Sequence, residues 1–282
     1  MRLFQGKHRV KSIVVASILI LFFAFWMYMR HLASGVRMGH RVSPSEQFLW
    51  DGVSYLENGN FEKAIESFDR SLNDYPTYGE AYLKRGIAYY KLEKFKQAIS
   101  DFTRTIELGP HLRNEAYFYR GLSYDVSGET DKAIADYTAV IESKELVPEE
   151  PYFLRGILYS RKGQLPEALT DYIAAVRIYV VKAISKDYFP QYEILQPVDF
   201  ELVINDCNTL IKRQIKEAMV YAVRGGVFLI NKKYDSAIQD LAKAVSLAPQ
   251  DSKNYILLGL IYYEKGSLDE SAAAYAKSVE VA

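Results

Sequence analysis

Glycine returns along this chain at a nearly fixed interval. Gly52, Gly86, Gly121, Gly156, Gly225 and Gly259 are separated by 34, 35, 35, 69 and 34 residues, so the long gap is two periods. Other rows keep step with it. Small residues recur at Ala64, Ala98, Ala133, Ala168, Val203, Ala237 and Ser271, and prolines fall at Pro76, Pro110 and Pro249. Aromatics recur at Phe48, Tyr82, Tyr117, Tyr152, Tyr221 and Tyr255, then at Tyr55, Tyr89, Tyr124, Tyr159, Phe228 and Tyr262. A third aromatic row is Phe68, Phe102, Tyr137, Tyr172 and Tyr275. Each period holds two amphipathic stretches of about twelve residues with apolar positions three and four apart, hence two helices. A glycine inside a helix costs about 1 kcal/mol relative to alanine. Its return at one register therefore implies close approach of the partner helix at that helix's own small residue. No helix pair of this size can bury its apolar face alone, so the pairs must stack on one another.

The order aromatic, glycine four later, aromatic three later, alanine nine later, aromatic four later and a closing proline resembles the tetratricopeptide repeat. The resemblance covers residues 45–282 as units 45–78, 79–112, 114–147, 149–182, 184–217, 218–251 and 252–282. It implies an all-α fold, a right-handed α-α superhelix whose first helices line a concave face that holds partner peptides or helices. By the same resemblance, partner-facing positions are Leu49 and Val53, Leu83 and Ile87, Phe118 and Leu122, Phe153 and Ile157, continuing through Ala222, Gly226, Ile256 and Leu260. Each pair is four apart and shares a helix face, giving an apolar stripe for an amphipathic helix or extended apolar segment. The alternative is that these side chains pack on the neighbouring helix. The lysine–asparagine–arginine clamp by which some members of the family grip chaperone tails is excluded. Its positions would be Leu49, Val53, Glu115 and Tyr119, or Leu83, Ile87, Glu150 and Leu154.

The fifth unit departs from the pattern. Its second helix is legible in Phe200, Val203, Ile204, Leu210 and Ile211, but Pro190-Gln191 stands where Arg-Gly is expected and Pro197 follows. Proline inside a helix costs about 3 kcal/mol. Residues 186–198 therefore read as irregular, with the preceding helix running on through Val181 and Ala183.

Arginine precedes the repeat glycine at Arg85, Arg120, Arg155 and Arg224, and the same four units carry Asp101, Asp136, Asp171 and Asp240 on the second helix. The first unit has Asp51 and Ser67 at these places and the last has Leu258 and Ala274, so there both partners are lost together, whereas the fifth keeps Asp206 without an arginine. Joint presence and joint loss predict an ion pair within each repeat. Thirteen of the 23 tyrosines sit in the three aromatic rows and read as core rather than as a stacking platform. The histidines are His8, His31, His40 and His111, with no His-Glu-x-x-His motif and no phosphate loop. No enzyme, cofactor or metal is expected.

The amino terminus adds a second theme. Ser12 to Met29 is eighteen residues without a charge. That approaches the length needed to cross a hydrocarbon core of roughly 30 Å. Trp26 and Tyr28 stand near one end, where amphipathic rings prefer the headgroups. The expected plan is a basic tail 1–11, a transmembrane signal-anchor helix 12–29, a linker 30–44 and the repeat body 45–282. Four basic residues precede the span and three follow it, so the amino terminus is expected in the cytoplasm and the body on the translocated side, the periplasm in a bacterium. Two other arrangements stay open. One is a soluble secreted or periplasmic adaptor released by cleavage near residue 35, and the other is a cytoplasm-facing assembly factor or import receptor. Residues 45–282 hold 28 basic against 35 acidic groups, which argues against nucleic acid as partner. Proteins and the membrane are the expected partners. Self-association through the outer face of Ala272–Val281 is a further candidate.

Overall fold

The computed structural model describes residues 43–143, 147–185, 198–215 and 217–282. Among them are thirteen α-helices and no strand. In chain order they are α1 Pro44–Glu57, α2 Phe61–Asp74, α3 Gly79–Lys91, α4 Phe95–Leu108, α5 Arg113–Val126, α6 Thr130–Ile141 and α7 Glu150–Arg161. Then follow α8 Leu165–Ser185, α9 Phe200–Lys212, α10 Ala218–Ile230, α11 Tyr234–Leu247, α12 Ser252–Lys265 and α13 Leu268–Glu280. The chain divides into two compact units, Met1–Gln47 and Phe48–Ala282. In the first, Ser43 and Glu46 form a capping box. The Ser43 N–H donates to Glu46 Oε2 at 2.9 Å, and the Glu46 N–H donates to Ser43 Oγ at 3.2 Å.

The second unit is an array of antiparallel helix pairs. α3 packs on α4, α5 on α6, α7 on α8, α10 on α11 and α12 on α13, and each pair leans on the first helix of the next. The repeat glycine is where two helices meet, and the alanine row comes close at two of them, with Ala168 O 3.2 Å and Ala237 O 3.3 Å from a Cβ built on Gly156 and Gly225. A Cβ at Gly86 would lie 2.7 Å from the Phe102 ring, and one at Gly156 would lie 2.6 Å from Tyr172. The space of the missing side chain is filled by the residue sixteen on, an aromatic of the third row in most units and Leu241 opposite Gly225.

A second glycine row, unused in the sequence reading, makes the turn inside each pair. Gly59, Gly128, Gly163 and Gly266 have φ between 73° and 85°, the left-handed region where a Cβ is costly. Glu93 and Lys232 hold the same turn without glycine at φ 58° and 57°, which hid the row from a search for one residue type.

Within the aromatic row, hydroxyls are treated unequally. Tyr137 and Tyr172 are fully buried, as are Phe68 and Phe102 in the same register. The Tyr172 hydroxyl donates to Asp206 Oδ2 at 2.9 Å, whereas the Tyr137 hydroxyl is buried with no hydrogen-bond partner. A buried polar group left unpaired costs about 1–3 kcal/mol. Tyr137→Phe is therefore expected to raise unfolding stability by about 1 kcal/mol and Tyr172→Phe to lower it by about as much. Chemical denaturation of the two variants side by side checks this, and equal shifts would contradict it.

Candidate functional site

The first helices α1, α3, α5, α7, α10 and α12 carry the positions expected to face a partner. Leu49, Leu83, Ile87, Phe118, Leu122, Phe153 and Ile157 are all between 0 and 3% exposed, and Val53 is half-buried. Phe118 meets Tyr119 and Tyr137 at ring-centroid distances of 5.5 and 6.2 Å, and Phe153 meets Tyr172 and Phe200 at 6.4 and 5.4 Å. Seven of the eight thus pack on neighbouring helices and join the core.

The arginine–aspartate pairs are present in all four units. Arg85, Arg120, Arg155 and Arg224 each donate through Nε and Nη2 to both oxygens of Asp101, Asp136, Asp171 and Asp240, at 2.7–2.8 Å. This two-pronged geometry fits guanidinium to carboxylate. The third donor, Nη1, reaches back to the second helix of the preceding pair. It meets Asp69 Oδ1 at 2.5 Å, Thr103 Oγ1 at 3.0 Å, Thr138 Oγ1 at 2.9 Å and Asn208 Oδ1 at 2.5 Å. Each arginine therefore ties three helices, two in its own repeat and one in the repeat before. Burial alone would lower the pKa of the Arg120 guanidinium, but the bonds and charge of Asp136 reverse this and raise it.

The tyrosines flanking these arginines, read from the sequence as core, lie at its edge and are only partly buried. Tyr82 and Tyr89 are half-buried, and the Arg85 guanidinium carbon lies 5.3 and 5.9 Å from their ring centres. Tyr117 and Tyr124 hold Arg120 in the same way at 5.3 and 5.8 Å. Rings at this distance attract a cation through their negative faces.

The irregularity of the fifth unit has a structural counterpart. α8 runs 21 residues, through Val181 as expected; residues 186–197 of the segment read as irregular lie outside the described residues. Its second half packs on α10 and touches α12, both first helices. The contact needs a bare backbone, because a Cβ on Gly226 would overlap Val176. Ala222 and Gly226 are small where other repeats carry leucine, isoleucine or phenylalanine, and they admit Ile173, Val176 and Val180. α8 thus covers part of the first-helix face of the sixth unit.

Cys207 is fully buried on α9, and burial pushes its thiol up to about 12, so it behaves as a small core residue and not as a nucleophile. Among the described residues no three of His, Cys, Asp and Glu gather as metal ligands. No helix among them is long and apolar enough to cross a membrane, and the expected span 12–29 lies outside the described residues. On α13, Leu268 and Val279 are 63 and 79% exposed.

Comparison with known proteins gives a consistent picture. Family models described as "Tetratricopeptide repeat" match residues 79–112, 115–143 and 231–281, and one described as "TPR repeat" matches 52–93. The chain is 34% identical over 83 residues to small glutamine-rich tetratricopeptide repeat-containing protein 2 of Saccharomyces cerevisiae. That match covers 29% of this chain and 24% of the relative, so it spans about a quarter of the relative's length. Among solved structures, Pseudomonas aeruginosa pilF is 12% identical with a TM-score of 0.46, over 82% of this chain and 88% of that one. A tetratricopeptide repeat protein from Parabacteroides merdae is 18% identical with a TM-score of 0.43, over 84 and 93%.

Proposed function

The chain is a tetratricopeptide repeat protein and a non-catalytic protein-interaction scaffold, and on that premise we propose that it works as a membrane-anchored adaptor. One observation carries the anchoring. Residues 12–29 form an uncharged apolar run with Trp26 and Tyr28 near its end, directly ahead of the repeat body. In this reading residues 12–29 are a single-pass signal anchor, the amino terminus is cytoplasmic and the body holds partner proteins on the translocated side. The outer face of α13, with Leu268 and Val279 exposed, offers a second surface for a partner or another copy. Isolated membranes washed with alkaline carbonate should keep the full-length chain in the pellet, and a chain lacking residues 12–29 should move to the supernatant. Release of the intact chain would overturn the anchoring. A reporter joined after Ala282 reads which side the body occupies.

A further inference from the structure

Arginines between the stacked helices pair with carboxylates, Arg85, Arg120, Arg155 and Arg224 with the aspartate row and Arg161 on α7 with Asp125 on α5. Arg177, on the long helix α8, does not. It is half-buried, its Nε is shielded from solvent with no hydrogen-bond partner, and its guanidinium makes no ion pair among the described residues. A shielded donor with no acceptor is an unmet hydrogen bond that a ligand's carboxylate could satisfy. Arg177 borders a pocket of about 160 Å³ between α8 and α12, whose other lining residues are Val180, Val181, Ile256, Leu257 and Lys253. The Lys253 ammonium, exposed at the amino-terminal end of α12, likewise makes no ion pair among the described residues.

The pocket is therefore an aliphatic hollow, with room for one branched side chain, flanked by two unpaired cations on opposite helices. No acid lines it. Glu217 and Asp251 line the larger cavity on the other side of Arg177. Asp251 is engaged there in capping α12, accepting from the Lys253 N–H at 3.1 Å. The body carries an excess of acidic residues (35 against 28 basic over residues 45–282), so two free cations at one hollow are a local reversal of its field.

We propose that this pocket binds an acidic–aliphatic segment of a partner protein, a leucine or isoleucine seated between Val180 and Ile256 with neighbouring Asp or Glu side chains on Arg177 and Lys253. The inference rests on the scaffold reading but not on the membrane anchor. It gives that scaffold a contact at Ile256, a partly exposed member of the first-helix stripe, beside the stretch where α8 covers the sixth unit. Apolar contact supplies area and the two charges supply selection.

The test uses the purified full chain and a fluorescein-labelled peptide, Gly-Glu-Leu-Glu-Leu-Gly, acetylated and amidated so that its only carboxylates are side chains. A second peptide carries glutamine for glutamate. Fluorescence anisotropy should show the glutamate peptide binding at least about tenfold more tightly than the glutamine peptide, with the advantage shrinking as salt is raised. The pair Arg177→Glu and Lys253→Glu should abolish the advantage while leaving the far-ultraviolet dichroism and melting unchanged, because neither side chain holds a helix partner. Equal binding of the two peptides, no binding by the native chain at millimolar peptide, or undiminished binding by the charge-reversed chain would each overturn the proposal. A chain released by carbonate that still selects the glutamate peptide loses the anchor and keeps the pocket. One that stays in the membrane and ignores the peptide does the reverse.

Discussion

Phe153→Glu is expected to unfold the middle of the array, and Phe153→Ala to lower unfolding free energy by about 3–5 kcal/mol, the usual cost of emptying a buried aromatic site. Phe153 is 1% exposed and bridges three helices, touching Tyr172 on α8 and Phe200 on α9 from its own place on α7. α9 meets the fourth unit here and at the Tyr172 hydroxyl, which donates to Asp206. A carboxylate at this position would be buried against the Tyr172 and Phe200 rings, adding the penalty of a desolvated charge to that of the cavity. Chemical denaturation followed by far-ultraviolet dichroism checks this, and a loss below about 1 kcal/mol for the alanine variant would mean the site relaxes or fills. The consequence for function is direct. Loss of a partner on changing Phe118 or Phe153 would report collapse of the scaffold, not removal of a contact. Charge changes at Arg177 and Lys253 are the cleaner probe.

From sequence the first-helix stripe reads equally as a groove or as packing on the neighbouring helix. A 3.6-residue period says which positions share a face, and Leu83 and Ile87 do share one. It does not say whether that face meets solvent or the next helix pair. In a stacked array both faces of a first helix can be covered, and here they are, with Leu83 and Ile87 in the same buried cluster as Phe118 and Tyr119. The arginine–aspartate pairs were legible for a different reason. Leu258 and Ala274 replace both members in the last unit, and a pair that vanishes together reveals its own contact. The third arm of the arginine escaped because its partner changes chemistry from Asp69 to Thr103, Thr138 and Asn208, which share only the ability to accept a hydrogen bond. Gly226 was read as one more position on the inner face, although its missing side chain is what lets α8 lie across α10. Arg177 and Lys253 stand at registers where other repeats carry glutamate, Glu107 and Glu142 for the first and Glu46, Glu80, Glu115 and Glu150 for the second, a reversal of sign that the search for apolar rows passed over. They meet only because α8 overruns its unit, so no periodic signal could have joined them.

Arg120→Ala is expected to lower unfolding stability by about 3–5 kcal/mol, far more than its surface position in a helical wheel suggests. Its side chain is 16% exposed and that of Asp136 is 7%, so the arginine's removal strands a carboxylate in a place water scarcely reaches. The Thr103 hydroxyl loses a donor in the same step, and with it goes a tie between the second and third repeats. In an array stabilised by neighbour contacts, loosening one interface uncouples the units on either side, so the denaturation curve should broaden as well as shift. Arg120→Lys should recover little, because an ammonium cannot meet both carboxylate oxygens and the threonine at once. By contrast Lys162, whose ion pair with Asp131 lies at the surface, should tolerate alanine with no measurable change. The double variant Arg120→Leu with Asp136→Ala separates the cost of stranding a charge from the worth of the pair. It reproduces what the last repeat already contains, Leu258 and Ala274, both buried at the corresponding places. Most of the lost stability should return, as it does when a buried ion pair is replaced by apolar packing. If the double variant is as unstable as Arg120→Ala alone, the pair itself supplies the stability, and the joint substitution in the last unit needs another cause.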